Sequence, residues 1–170
     1  MQSRTPIRPN HQPFIESHSN SRRTGSPQLL VAEWLEAVRS RDASRVLSLY
    51  GSDAFLWEDS DAEPKVGSQE IKSHFDPLLN RSKIEVKTRE LRFRELGDGV
   101  VSTSGIHEFV LGGANLSQPA GRLRARFSFV LKRSQTGSWT IVDHHTSQLP
   151  EMQTEIVHPE SSPWLAGVLS

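Results

Sequence analysis

The sequence contains no cysteine, which excludes disulfide cross-links, thiol nucleophiles and thiolate metal sites together. It has no long uninterrupted apolar run, so no segment reads as a membrane-spanning helix. It also lacks an excess of charge of either sign. Lys plus Arg and Asp plus Glu number 20 each in 170 residues, whereas a dedicated nucleic-acid binder usually carries a basic surplus. No Gly-rich phosphate loop, nucleophile elbow or zinc spacing occurs, and Gly112-Gly113 falls between two strand patterns, not ahead of a helix. The length suits one domain with chain to spare for tails.

The spare chain lies at the ends. Residues 1–27, MQSRTPIRPNHQPFIESHSNSRRTGSP, are rich in Ser, Pro, Arg and Asn and hold Glu16 as their one acid. Such a segment buries too little apolar area to offset the entropy of ordering and reads as a disordered tail. An Arg- and Ser-rich, acid-poor N-terminus also fits an organelle transit segment, so organelle import stands beside a cytoplasmic location. The apolar stretch of a secretory signal is missing. Residues 152–170 read as an irregular tail, in which Trp164, Leu165 and Leu169 are available to dock.

Between the tails, apolar spacing changes from helical to alternating. Leu29, Leu30, Ala32, Trp34, Leu35 and Val38 repeat near the 3.6-residue period and predict a helix from Pro27. Asp42 is placed to cap a second helix, Ala43 to Tyr50, that Gly51 ends. DAFLWED (53–59) reads as a strand, and Ser60 to Gly67 as a loop or ragged hairpin. Ser68 is placed to cap a third helix carrying Ile71, Phe75, Leu78 and Leu79. Strands follow at 83–96, with a bulge expected near Thr88-Arg89, then at 100–111, 122–133 and 138–149. The third of these is the clearest, with Leu123, Ala125, Phe127, Phe129 and Leu131 on one face. Helices followed by antiparallel strands indicate α+β: three N-terminal helices packed on a curved, mainly antiparallel sheet, with a pocket at the open end of the cone.

The last strand, WTIVDHHTSQLP (139–150), begins apolar and ends polar. Strict alternation puts Trp139, Ile141, Asp143, His145 and Ser147 on one face and Thr140, Val142, His144 and Thr146 on the other. The Trp139/Ile141 face should meet the helices, so Asp143, His145 and Ser147 are expected to enter the cone and His144 to face out. Asp143 and His145 at i, i+2 are about 6.5–7 Å apart at Cα. A carboxylate beside an imidazole fixes its tautomer and raises its basicity, which suits acid–base work on a small carbonyl or carbonate-like molecule. Polar residues hydrogen-bonded at a strand end are the structural alternative.

This order resembles the nuclear-transport-factor-2-like fold, over about residues 28–151. More narrowly it is similar to SnoaL-like and SgcJ/EcaC-type proteins, the association domain of calcium/calmodulin-dependent kinase II and the iota-class carbonic anhydrases. The resemblance is carried by VAEWLEAVRSRDASRVLSLYGSDAFLW, GSQEIKSHFDPLL, ARFSFV and W-x-I-V-D-H-H-T-S-Q-L-P. It implies a homodimer or larger homo-oligomer with one small-molecule pocket per chain and no cofactor. It implies an acid–base enzyme of isomerase, hydratase or lyase type, with His145 as base, Asp143 orienting it and Ser147 touching a small polar substrate. The alternatives are a non-catalytic association or ligand-binding module and a carbonic-anhydrase-like hydratase. Thr146 stands where the kinase domain has a pocket arginine, so its anionic-ligand chemistry does not transfer. Phe127 stands where the iota-class enzymes have a tyrosine; with Trp57 and Thr146 it is an expected substrate-binding residue.

Other candidates have simpler readings. Trp57, on a strand that should neighbour the last one, could wall the pocket or belong to the core. His107 and His145 lie two strand spacings apart, nearly 10 Å, too far to share a metal bound at about 2 Å, so no metal site is expected. Asp59, Asp61 and Glu63 read as solvated loop charge. Arg124 and Arg126 read as an exposed or dimer-contacting row.

Overall fold

The computed structural model describes residues 25–115 and 120–149. The expected tails lie outside these residues apart from Gly25, Ser26 and Pro27, and the last two begin the first helix. The Ser26 hydroxyl accepts the Leu29 N–H at 3.2 Å. Pro27, whose missing N–H costs nothing at a helix start, opens α1 (Pro27–Arg39). Its buried face is Leu30, Val31, Trp34, Ala37 and Val38, whereas Leu29 and Ala32 of the expected stripe are exposed. The Asp42 carboxylate accepts the Arg45 N–H at 2.9 Å and caps α2 (Ala43–Ser48).

Tyr50, expected at the end of α2, instead opens β1 (Tyr50–Glu58). The last strand captures it: the Ile141 N–H donates to the Leu49 carbonyl at 2.8 Å, and Tyr50 pairs with Ile141. The ragged hairpin resolves into a short β2 (Lys65–Val66), antiparallel to β1. The third helix, α3 (Gly67–Leu79), starts one residue before Ser68, and no side chain caps it. Gly67 takes the left-handed φ of +74° that the strand-to-helix turn requires, and the Glu70 carboxylate accepts the Val66 N–H at 2.7 Å.

β3 (Ile84–Gly97), β4 (Val100–Leu111), β5 (Gly121–Arg133) and β6 (Trp139–Gln148) complete a six-stranded sheet in the order β2-β1-β6-β5-β4-β3. Among the described residues β1–β6 is the one parallel pairing. It brings the first strand beside the last, a contact that no local pattern encodes. The bulge in β3 lies between Arg89 and Arg92, with Glu90 at a φ of 55°. On β5, Ala125, Phe127, Phe129 and Leu131 are buried as expected. With Trp34, Leu56, Ile71 and Ile141 they form the core between sheet and helices; burying each large side chain contributes about 1.5–3 kcal/mol.

A second bulge was not expected, and it corrects the face assignment of β6. Leu131 pairs with Ile141 while Val130 pairs with Asp143, which leaves Val142 as the extra residue. One inserted residue reverses every later side chain. Trp139 and Ile141 point inward, then His144, which is 2 % exposed. Asp143 and His145 lie on the outer face, half-buried and exposed respectively. The inward His145 and outward His144 read from strict alternation are therefore exchanged.

Candidate functional site

A cavity of about 500 Å³ lies between α1, α3 and the inner face of the sheet, in the size range of small-molecule sites. Trp34, Phe75, Leu78, Phe109, Leu111 and Leu123 supply apolar wall, and Glu58, Asp59, Lys65 and Gln148 supply polar wall. The Asp59 carboxylate accepts the Gln148 N–H at 3.0 Å, joining the start of the β1–β2 connection to the end of β6. Asp61 pairs with Lys65. The acidic loop thus has internal partners.

Three imidazoles border the cavity: His74, His107 and His144. His144 reaches it because of the Val142 bulge. Its Nδ1 is 2.9 Å from the Tyr50 hydroxyl, which also accepts the Trp34 indole N–H at 3.1 Å. An indole N–H can only donate, so the phenol's own hydrogen finds a partner here when His144 Nδ1 accepts it. In that arrangement the His144 proton is on Nε2, which is then a donor. The ring packs among Phe129, at 4.5 Å between centroids, Trp34 and Phe75. Burial foremost, then the neighbouring histidines, holds its pKa well below the ordinary value. Burial likewise pushes the Tyr50 pKa up, so the pair stays neutral.

His74 is held differently. It projects from α3 beside Phe75, and its Nδ1 is 2.9 Å from Glu58 Oε2 at the end of β1. A carboxylate only accepts, so Nδ1 carries the hydrogen, and in the neutral ring Nε2 is the nitrogen with the lone pair. The His74 side chain is 13 % exposed and borders the cavity. Pro77, one helical turn on, borders the same cavity and cannot make the helix bond to the Ser73 carbonyl. His74 and His144 thus border one cavity, each with Nδ1 engaged by a neighbouring oxygen.

The residues singled out in the sequence divide between two surfaces. Thr146 lines the cavity, and its hydroxyl donates to the Arg126 carbonyl at 3.3 Å. Ser147, at the strand end, borders both the cavity and a depression on the outer face shared by Arg126, Ser128 and His145. Phe127 is buried flat against His107 and does not border the cavity. Trp57 pairs with His145 across the parallel β1–β6 ladder and is 38 % exposed, so it walls neither cavity nor core. Burial raises the Asp143 pKa against the opposing influence of His145. Arg124 and Arg89 both engage Glu108 on the outer face. Among the described residues no group of three or more His, Asp or Glu side chains is placed to hold a metal ion, and no helix is long and apolar enough to cross a membrane.

Sequence reasoning missed Glu58, His74 and Tyr50. The available signals were the acid closing the β1 pattern, a histidine beside the buried Phe75, and the chain's single tyrosine.

Three helices on an unclosed, curved six-stranded sheet are the architecture of the nuclear-transport-factor-2-like proteins. Within them the chain belongs to the SnoaL-like domain family, whose model matches residues 28–151. A comparison with curated proteins finds no match. Among solved structures, a candidate calcium/calmodulin dependent protein kinase II association domain from Xanthomonas campestris is 25 % identical with a TM-score of 0.63, covering 73 % of this chain and 86 % of its own. A ketosteroid isomerase-like protein from Erwinia carotovora atroseptica is 17 % identical with a TM-score of 0.61, covering 72 % and 93 %. A candidate dehydratase of the NTF2-like family from Streptomyces avermitilis is 16 % identical with a TM-score of 0.60, covering 72 % and 93 %. The last two likenesses establish the fold alone.

Proposed function

We propose that the chain is a cofactor-independent acid–base enzyme of isomerase, dehydratase or lyase type, acting on a small organic molecule in the cavity. The observation that carries this reading is the 2.9 Å contact between His74 Nδ1 and Glu58 Oε2 on the wall that also holds His144. His74 Nε2 removes a proton from carbon next to a carbonyl, with Glu58 stabilising the imidazolium that forms. His144 Nε2–H donates to the oxygen on which charge develops, in a setting where water does not compete. The proton returns from His74 to another carbon, giving isomerisation, or to a departing hydroxyl, giving dehydration. Relatives of this fold described as isomerase-like and dehydratase are consistent with that chemistry. The apolar walls, and Phe127 in place of a phenol beside His107, favour an organic substrate over bicarbonate.

The test uses β-tetralone, a two-ring ketone with readily exchanged α-hydrogens, in heavy water. Wild-type protein should speed deuterium uptake above the buffer rate, and His74→Gln should lose about a hundredfold of that increment. Equal rates for the two proteins would refute the assignment.

A second reading concerns the outer face. Phe55, Val130 and Val142 are half-buried there, with the exposed Trp57 beside Asp143 and His145. This surface suits self-association into a homodimer, and the association-domain neighbour supports it. Light scattering of Trp57→Lys against wild type tests it; an unchanged mass would count against this face as the contact.

A further inference from the structure

The acid–base reading leaves His107 unused, although it borders the cavity and is 2 % exposed. Its ring is clamped. Phe127 lies parallel to it at 3.8 Å and 3° between planes, and Trp34 stacks on it at 5.0 Å and 15°. Gly105 makes room for this stack: a Cβ there would lie 3.0 Å from the Phe127 ring and 2.9 Å from the Arg89 carbonyl. Nδ1 is 3.1 Å from the Thr88 hydroxyl. Nε2 has no hydrogen-bond partner in the protein. Among the described residues one other buried side-chain atom shares that condition, Thr103 Oγ1, and Thr103 does not border the cavity.

A buried polar atom without a partner costs stability, and a ring fixed by two aromatic faces cannot turn to relieve it. We infer that His107 Nε2 is a ligand-recognition point, taking the hydroxyl of an uncharged, ring-sized apolar molecule at the apolar end of the cavity. This deepens the reading of the cavity as a small-molecule site and rests on it, but requires no step at His74. A hydroxyl both donates and accepts, so it matches His107 in either tautomer. The partner is uncharged because Phe109, at 5.8 Å between ring centroids, and the strand partner Ala125 lie next to His107 and supply no counter-charge. Burial also lowers the His107 pKa to about 3, so the imidazole itself is neutral.

Calorimetric titration with β-naphthol, naphthalene and β-naphthoate tests the assignment. Wild-type protein should bind β-naphthol about tenfold more tightly than either of the others, the usual increment for one hydrogen bond to a buried group. His107→Leu should lose the preference over naphthalene, and His107→Gln should keep part of it. In the wild type, the His107 imidazole nitrogen resonances should move with β-naphthol and not with naphthalene, a reading that survives if the leucine variant does not fold. Absence of β-naphthol binding, equal affinity for naphthalene, tighter binding of β-naphthoate, or preference retained in His107→Leu would each overturn it. No turnover is involved, so a failure of the proposed chemistry at His74 would leave this result standing.

Discussion

The Tyr50 hydroxyl lies 2.9 Å from His144 Nδ1 and 3.1 Å from the Trp34 indole nitrogen, linking α1, β1 and β6 through one buried oxygen. The bond depends on two irregularities: β1 running parallel to β6, and the extra residue Val142 that turns His144 inward. Tyr50→Phe keeps the ring but strands both partners. It should cost about 1–3 kcal/mol in urea unfolding, with loss of His144's fixed tautomer visible in its imidazole nitrogen shifts. An unchanged midpoint would mean the linkage contributes nothing.

Acid sensitivity follows from the two buried neutral histidines. Burial depresses the folded-state pKa of both His107, to about 3, and His144. Below about pH 6.5 the unfolded chain binds protons that the native state does not, so their contribution is present above that pH and lost as pH falls towards the folded values. Each histidine removes up to about 1.4 kcal/mol per pH unit in that window. Melting temperature should fall between roughly pH 6.5 and 4, and His107→Gln should flatten the slope. A pH-independent melt over this range would contradict the burial.

Alkaline behaviour has the same origin with the opposite sign. Tyr50 is the chain's single tyrosine, and burial raises its pKa. Stability is intact below pH about 10 and declines above it, because the unfolded chain ionises first. Tyrosinate absorbance should therefore appear together with unfolding and not before it. Ionisation near pH 10 in folded protein would show that Tyr50 is accessible.

The adjacent histidines should separate cleanly in stability. His145 is exposed on the outer face, so His145→Gln should change stability by about 0.5 kcal/mol or less. His144→Ala removes a packed ring and leaves the Tyr50 hydroxyl without its acceptor, and should cost about 2–4 kcal/mol. Denaturant unfolding checks both, and the reverse order would overturn the register of β6.

At Gly105 the constraint is steric. An alanine would press on the Phe127 ring and the Arg89 carbonyl, and should destabilise by about 1–3 kcal/mol, with His107 shifts reporting the displaced stack.

Much of the fold is written in local pattern. The Leu123-to-Leu131 alternation and the Asp42 cap each act within a few residues and appear where their spacing predicts, while the α1 stripe is met at Leu30, Trp34 and Val38 and not at Leu29 or Ala32, which are exposed. The site is less legible because its members meet through long-range contacts: Tyr50 and His144 are 94 residues apart, and Thr88 and His107 are 19 apart. The face of β6 was misread for a specific reason. Trp139 and Ile141 establish a phase, and nothing about Val142 marks it as the residue that breaks it. Only its pairing with β5 does so, through Val130 and Leu131. Within the polar cluster DHHTS, the histidine that borders the cavity is His144, not the His145 expected from alternation.

Comparing His74→Gln with His145→Gln in the β-tetralone exchange assay tests the central claim most directly, because one imidazole borders the cavity and the other lies across the sheet. The account predicts a loss of about a hundredfold in the first variant and a rate within about twofold of wild type in the second, since a residue outside the site alters surface properties only. Loss in His145→Gln with full activity in His74→Gln would place the chemistry on the outer face and contradict it.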